Sequence, residues 1–106
     1  MNDKITISYL QKYIKAKDHK PELVKYYFLR LVEEVGELSR LFTKGAPIAT
    51  EDCVEGTIEE EVWDIIYYAL AIANCYDIDM EKWIPIKERI SNEKHKNDIV
   101  FGQELI

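Results

Sequence analysis

Apolar residues recur every three or four positions along most of the chain, which predicts helices rather than strands. No alternation of apolar and polar residues is long enough to predict a strand. Four helices are predicted, at about 7–17, from Pro21 to about 44, from Thr57 to about 76, and after Asp77 or Asp79. The sequence therefore predicts an all-α fold, a four-helix bundle.

Several residues favour helix ends at these positions. Pro21 suits the first turn of the second helix, because its missing N–H would have no partner there. Gly45 is a typical residue just past the end of that helix. Thr57 and Glu60 have the spacing of a capping box at the start of the third helix. Pro85 lies inside the fourth helix, where it predicts a kink or a shortened first turn.

Carboxylates fall within apolar faces of the second and third helices. On a helical wheel, Glu34 lies inside the apolar arc of the second helix, and Glu37 lies at its border. The arc consists of Leu23, Tyr27, Leu31, Val35, Leu38, Leu41 and Phe42. In the third helix, Asp64 is the only charged residue of the run VWDIIYYALAIA, and Glu61 precedes it by one turn on the same face.

An unpaired carboxylate in an apolar stripe is costly or takes up a proton, and a divalent cation removes that penalty. Salt bridges to lysine or arginine explain a Glu-x-x-Asp pair equally well, and an EE-x-x-E string is most often solvated. The occurrence of both on two adjacent antiparallel helices favours a metal site. Oxygen ligands without histidine or thiolate indicate Mg²⁺, or Mn²⁺ in its place. The predicted ligands are Glu34, Glu37, Glu61 and Asp64.

Two strings carry a family resemblance, EEVGEL at 33–38 and EEEVWDIIYYALAIA at 59–73. They resemble the MazG-like, all-α nucleoside triphosphate pyrophosphohydrolases, whose signature is EExxE, a variable spacer and ExxD. In this chain 23 residues separate Glu37 from Glu61. The helix order and the segment YDIDMEK also fit, so the resemblance covers most of the chain. Dimeric dUTPases, dCTP pyrophosphatases and phosphoribosyl-ATP pyrophosphatase share the motif.

The resemblance implies hydrolysis between the α- and β-phosphates of a nucleoside triphosphate, giving a nucleoside monophosphate and pyrophosphate. It implies that the four acids hold Mg²⁺ and that Glu33, or one of the four, deprotonates the attacking water; Glu33 and Glu34 are the candidate catalytic residues. Tyr68 matches a family position near the substrate, although a core tyrosine is an equal interpretation. On the fourth helix, relatives carry a phosphate-binding pattern, although a solvated basic tail fits equally. The candidates for it here are Lys87, Asn92 and Lys94.

Composition narrows the classes of function. The net charge of −6, from 14 basic and 20 acidic residues, argues against nucleic-acid binding. Cys53 and Cys75 form neither a disulfide framework nor a zinc set, which fits a reducing cytoplasm. The longest apolar run is too short for the roughly 20 residues of a membrane span, and the start does not resemble a signal peptide. We expect residues 1–106 to form a single cytoplasmic domain without a membrane partner.

The third helix is apolar on nearly every side between Val62 and Ile72, more than a small bundle covers. This predicts a homodimer or homotetramer, and in the family that the chain resembles such assemblies build the site. Three functions stay open. The first is a pyrophosphohydrolase that removes unwanted or surplus nucleotides, and the second is a phosphoribosyl-ATP pyrophosphatase, whose own conserved strings are not evident. The third is a non-catalytic helical interaction module whose acids form salt bridges.

Overall fold

Four α-helices make up the described part of the fold. The structure is a computed structural model that describes residues 4–96 and 98–105. The helices are α1 (Ile7–Lys17), α2 (Val24–Lys44), α3 (Ile58–Cys75) and α4 (Met80–His95). Within these ranges there is no β-strand, only an isolated bridge between Thr50 and Cys53. The predicted all-α fold is confirmed.

The helix ends use the predicted capping residues, with one change of partner. The Thr57 hydroxyl caps α3 by accepting a hydrogen bond from the Glu60 N–H at 3.1 Å. The Glu60 carboxylate accepts from the N–H of Gly56 at 2.9 Å, one residue before the cap. Gly45 ends α2 with a positive φ of 85° and donates its N–H to the Leu41 carbonyl at 3.0 Å. The left-handed backbone favours glycine there.

Two prolines lie at or within the helices. Pro21 begins a separate 3-10 turn, Pro21–Leu23, and α2 starts only at Val24. The turn closes through a hydrogen bond from the Leu23 N–H to the Lys20 carbonyl at 2.8 Å. The fourth helix begins at Met80 and continues through Pro85, so its first turn is not shortened.

A small hydrophobic core lies between α1, α2 and α3. Its buried members are Ile14, Tyr27, Leu70 and Ala71. The Tyr27 hydroxyl donates to the Asp18 carboxylate at 2.9 Å and accepts from the Lys20 N–H at 3.0 Å. Burial, and then the bond to Asp18, raise the pKa of Tyr27 to about 12. Tyr27 therefore anchors α2 to the connection that follows α1.

A buried amide pair fixes α1 against α3 and the start of α4. The Gln11 amide donates to the Asn74 side-chain oxygen at 3.0 Å and to the Ile78 carbonyl at 2.8 Å. Asn74 donates back to the Gln11 carbonyl at 3.0 Å, and the Met80 N–H donates to the Gln11 side chain at 3.0 Å. Because these buried amides are paired, they specify one arrangement of the three elements.

The most extensive helix pair is α2 with α3, whereas α4 packs mainly against α1. None of the helices in the described ranges combines the length and apolarity needed to cross a bilayer.

Candidate metal centre

Three carboxylates converge where α2 packs against α3. Glu34 comes from α2, and Glu61 and Asp64 come from α3. One oxygen of each lies within 4.8 Å of the others. Glu34 and Glu61 are only 8% and 7% exposed, which is rare for acidic side chains.

Local helix geometry explains why these acids meet. Glu34 lies two turns after the fully buried Tyr27, so both side chains leave α2 on the face that packs on α3. Glu61 lies near the N-terminus of α3, where the helix dipole favours negative charge, and Asp64 follows one turn later on the same face.

One atom of the cluster has no partner. Among the fully buried side-chain nitrogen and oxygen atoms of residues 4–96 and 98–105, Oε2 of Glu61 is the one without a hydrogen bond. A buried carboxylate oxygen that lacks a donor is costly, whereas a cation bound there would satisfy it. Three carboxylates of this geometry fit a hard divalent cation, because such ions take oxygen ligands. The cluster is therefore a candidate metal centre.

Electrostatics within the cluster are unfavourable without a cation. Burial, and then the neighbouring Glu61 carboxylate, raise the pKa of Glu34 to about 7, although Arg30 and Asp64 oppose the shift. Burial, and then the charge of Glu34, also raise the pKa of Asp64. A proton on Glu34 relieves the repulsion, and a divalent cation would do the same and displace that proton.

The raised pKa of Glu34 predicts that the metal-free protein loses stability as the pH rises. Its ordinary value is 4.5, so the folded state binds more protons than the unfolded state between about 4.5 and 7. This contribution is fully present below about pH 4.5 and is lost as the pH rises through about 7. In chelator, we expect the melting temperature at pH 8 to lie several degrees below that at pH 5, since one pKa unit corresponds to about 1.4 kcal/mol.

Glu34→Gln should flatten that pH dependence, and Glu51→Gln, in the exposed loop, should leave it as in the wild type. Equal slopes for Glu34→Gln and wild type between pH 5 and pH 8 would contradict the assignment to Glu34.

The cluster opens into a cavity of about 630 Å³. Six carboxylates and two arginine side chains, Arg30 and Arg40, line it. Glu33 lies at the same cavity, is exposed, and accepts a hydrogen bond from Arg30 at 2.6 Å. Glu37 also lines it, but its carboxylate pairs with Arg40 at 3.7 Å and is not among the converging oxygens. Three of the four predicted ligands thus converge, and Glu37 borders their cavity.

The other predicted site residues lie apart from the converging carboxylates. Tyr68 is half-buried, and its hydroxyl accepts a hydrogen bond from Arg30 Nε at 3.3 Å, which brings it to the edge of the centre. Lys87 borders an apolar groove on α4, and Lys94 is exposed. Asn92 donates to the Ile99 carbonyl at 3.0 Å. The three α4 residues do not line the acidic cavity of this chain.

The arginine side chains beside the carboxylates were not predicted from the sequence. The phosphate-binding residues were predicted on the basic fourth helix, whereas the cavity beside the carboxylates is lined by Arg30 and Arg40 of α2. Arg30 precedes Glu33 and Glu34 by three and four residues. This spacing indicates ion pairs between Arg30 and the acids, because such residues share one helix face.

Comparison with known proteins identifies close structural relatives. No protein-family profile matches the sequence, and no curated protein matches it. The crystal structure of Ntag-iMazG from Vibrio DAT 722 has a TM-score of 0.76 and 40% sequence identity, covering 85% of this chain and 97% of its own. A Ctag-iMazG structure from the same source has a TM-score of 0.75 and 39% identity, covering 83% and 99%. The likeness spans most of this chain and nearly all of those proteins.

Proposed function

The chain belongs to the MazG-like all-α family, and from that premise we propose that it is a Mg²⁺-dependent nucleoside triphosphate pyrophosphohydrolase. The reaction is hydrolysis of a (deoxy)nucleoside triphosphate to the monophosphate and pyrophosphate, which removes unwanted or surplus nucleotides. One observation carries the proposal. Three carboxylates converge within 4.8 Å and leave a buried oxygen of Glu61 without a donor, a geometry suited to a cation that also binds phosphate.

We assign some residues of this chain to binding the cation and others to activating the attacking water. Glu34, Glu61 and Asp64 would hold Mg²⁺, and Glu37, which pairs with Arg40, would be the fourth ligand. When bound, Mg²⁺ neutralises phosphate charge and acidifies water. Glu33, or Glu34 among the ligands, accepts the proton from the water that attacks the α-phosphorus. The bond from that phosphorus to the bridging oxygen breaks, and pyrophosphate leaves with the electron pair.

Substrate contacts are proposed at two places. Tyr68 borders the centre through its bond to Arg30, which supports the proposal that its ring contacts the nucleotide. The three α4 candidates lie outside the cavity of one chain, and their contact with phosphate requires a rearrangement or a second subunit. Phosphate binding by these three residues, Lys87, Asn92 and Lys94, therefore stays a prediction.

Assembly into a homodimer or homotetramer is part of the proposal. In one chain, α2 exposes about half of Phe28, Val32 and Val35, and α3 exposes a large part of Val62 and Ile66. These positions recur every three or four residues, so each helix presents an apolar row to solvent. A second copy of the chain would cover such rows.

We further propose that the enzyme acts in the cytoplasm and that residues 1–106 form one domain.

A nucleotide panel distinguishes the proposed function from its alternatives. Purified protein is incubated with each ribo- and deoxyribonucleoside triphosphate and with phosphoribosyl-ATP, in Mg²⁺ and in chelator. We expect pyrophosphate from at least one nucleoside triphosphate in Mg²⁺ and none in chelator. Turnover of phosphoribosyl-ATP alone would favour that pyrophosphatase, and no turnover of any substrate would favour a non-catalytic interaction module.

A further inference from the structure

Arg30 is held at the edge of the acidic cavity by three different groups. Its guanidinium donates to the Glu33 carboxylate at 2.6 Å and to the Glu34 carboxylate at 3.5 Å. Its Nε donates to the Tyr68 hydroxyl at 3.3 Å, and the guanidinium carbon lies 5.6 Å from the centre of that ring. Arg30 thus contacts both a candidate base and a candidate ligand of the centre.

A cation bound at the centre competes with Arg30 for Glu34. Both are positive, both need the same carboxylate, and the guanidinium is only partly exposed, so their repulsion is weakly screened. Metal binding therefore weakens the bond between Arg30 and Glu34. The contacts with Tyr68 do not involve a carboxylate ligand, so they keep the guanidinium at the cavity edge.

We propose that Arg30 changes partner during the catalytic cycle. It is the counter-ion of Glu34 in the metal-free protein, and it binds the phosphate chain of the substrate once the cation occupies the carboxylates. The inference rests on the proposed function, because it requires a metal and a phosphorylated substrate at this centre. A guanidinium suits the second role, because its planar donors match two phosphate oxygens at once.

Arg40 provides the matched comparison. It lines the same cavity and has the same charge, but its side chain is more exposed and pairs with Glu37 at 3.7 Å, outside the converging oxygens. It has no bond to Glu34, and the pair that Glu37 would leave to reach the metal is a long contact between two exposed side chains, which contributes little. Loss of the Arg40 charge should therefore change the affinity of the centre for a metal much less than loss of the Arg30 charge.

The test compares Arg30→Gln with Arg40→Gln in two measurements. Calorimetric titration with Mg²⁺ alone should show that Arg30→Gln binds the metal about fivefold more tightly than wild type, because the guanidinium no longer competes with the metal for Glu34. Arg40→Gln should stay within about twofold of wild type. In turnover at saturating Mg²⁺, Arg30→Gln should raise KM for the nucleotide by about tenfold or more, because a charge-assisted phosphate contact is lost.

Arg30→Gln should bind Mg²⁺ more tightly but have a higher KM for the nucleotide. This combination distinguishes the proposed role of Arg30 from a structural one. A residue that merely holds the fold together would weaken metal binding and turnover together when removed. Arg30→Lys, which keeps the charge but not the planar donors, should restore the wild-type metal affinity and leave KM raised. Unchanged or weaker Mg²⁺ binding by a folded Arg30→Gln would overturn the inference alone. Absence of Mg²⁺ binding by the wild type would overturn the proposed function, and this inference with it.

Discussion

Replacing Asp64 with asparagine is expected to abolish turnover without lowering the stability of the metal-free protein. The change keeps the shape of the side chain and removes a charge that lies within 4.8 Å of the Glu34 and Glu61 oxygens. Loss of a metal ligand should cost several kcal/mol of transition-state stabilisation, or roughly a thousandfold in rate. Loss of repulsion should leave the melting temperature in chelator equal to that of wild type or a few degrees higher.

Mg²⁺ provides the second measurement on the same variant. An ion held by the converging carboxylates would bind only the folded state, so Mg²⁺ should raise the melting temperature of the wild type, and it should do so less for Asp64→Asn. Glu59→Gln, an equivalent change at an exposed position of α3, should keep both activity and the upshift. If Asp64→Asn melted well below wild type in chelator and stayed active, Asp64 would be a structural salt-bridge partner and the metal centre would be wrong.

A lysine placed in either exposed apolar row is expected to dissociate the oligomer. Val32 and Ile66 are 50% and 40% exposed in one chain, so Val32→Lys or Ile66→Lys should fold normally as a monomer. In an oligomer that covers the rows, each subunit would bury an unpaired ammonium at a cost of several kcal/mol. The dissociation constant should therefore rise by about a hundredfold or more. Sedimentation at micromolar concentration measures the change.

The same substitution elsewhere supplies the control. Ile48 is 90% exposed in the loop before α3, and Ile48→Lys should leave the assembly as in the wild type. A wild-type protein that sediments as a stable 12.5 kDa species would contradict the proposed assembly before any variant is made.

The convergence of Glu34, Glu61 and Asp64 could be predicted from the sequence because its signals are local. The helical wheel places Glu34 inside the apolar arc, and the structure buries it. Glu61 and Asp64 share a face because they are three residues apart, so α3 brings them together wherever it packs. The capping pattern of Thr57 also depends on neighbouring residues only, and it is confirmed apart from the backbone partner of Glu60.

The parts that depend on packing between elements could not be predicted in this way. Val35 and Phe42 belong to the same apolar arc as Tyr27, but they are half or more exposed in one chain. The wheel records which residues are apolar and not which neighbour covers them. Likewise, the basic stretch on α4 indicates a positive charge but not how far that charge lies from the carboxylates. In the structure α4 packs on α1, and its residues do not line the acidic cavity. Of the two arginines at that cavity, Arg30 bonds to the converging carboxylate of Glu34, and composition alone does not distinguish it.

Phosphorus NMR of the reaction products tests the central claim most directly. Wild-type protein with Mg²⁺ and the best nucleoside triphosphate of the panel should convert the three substrate resonances into those of a monophosphate and pyrophosphate. Asp64→Asn and chelated wild type should leave the triphosphate intact over the same time. Appearance of orthophosphate with a nucleoside diphosphate would contradict cleavage between the α- and β-phosphates, and conversion that continues in chelator would contradict the metal centre.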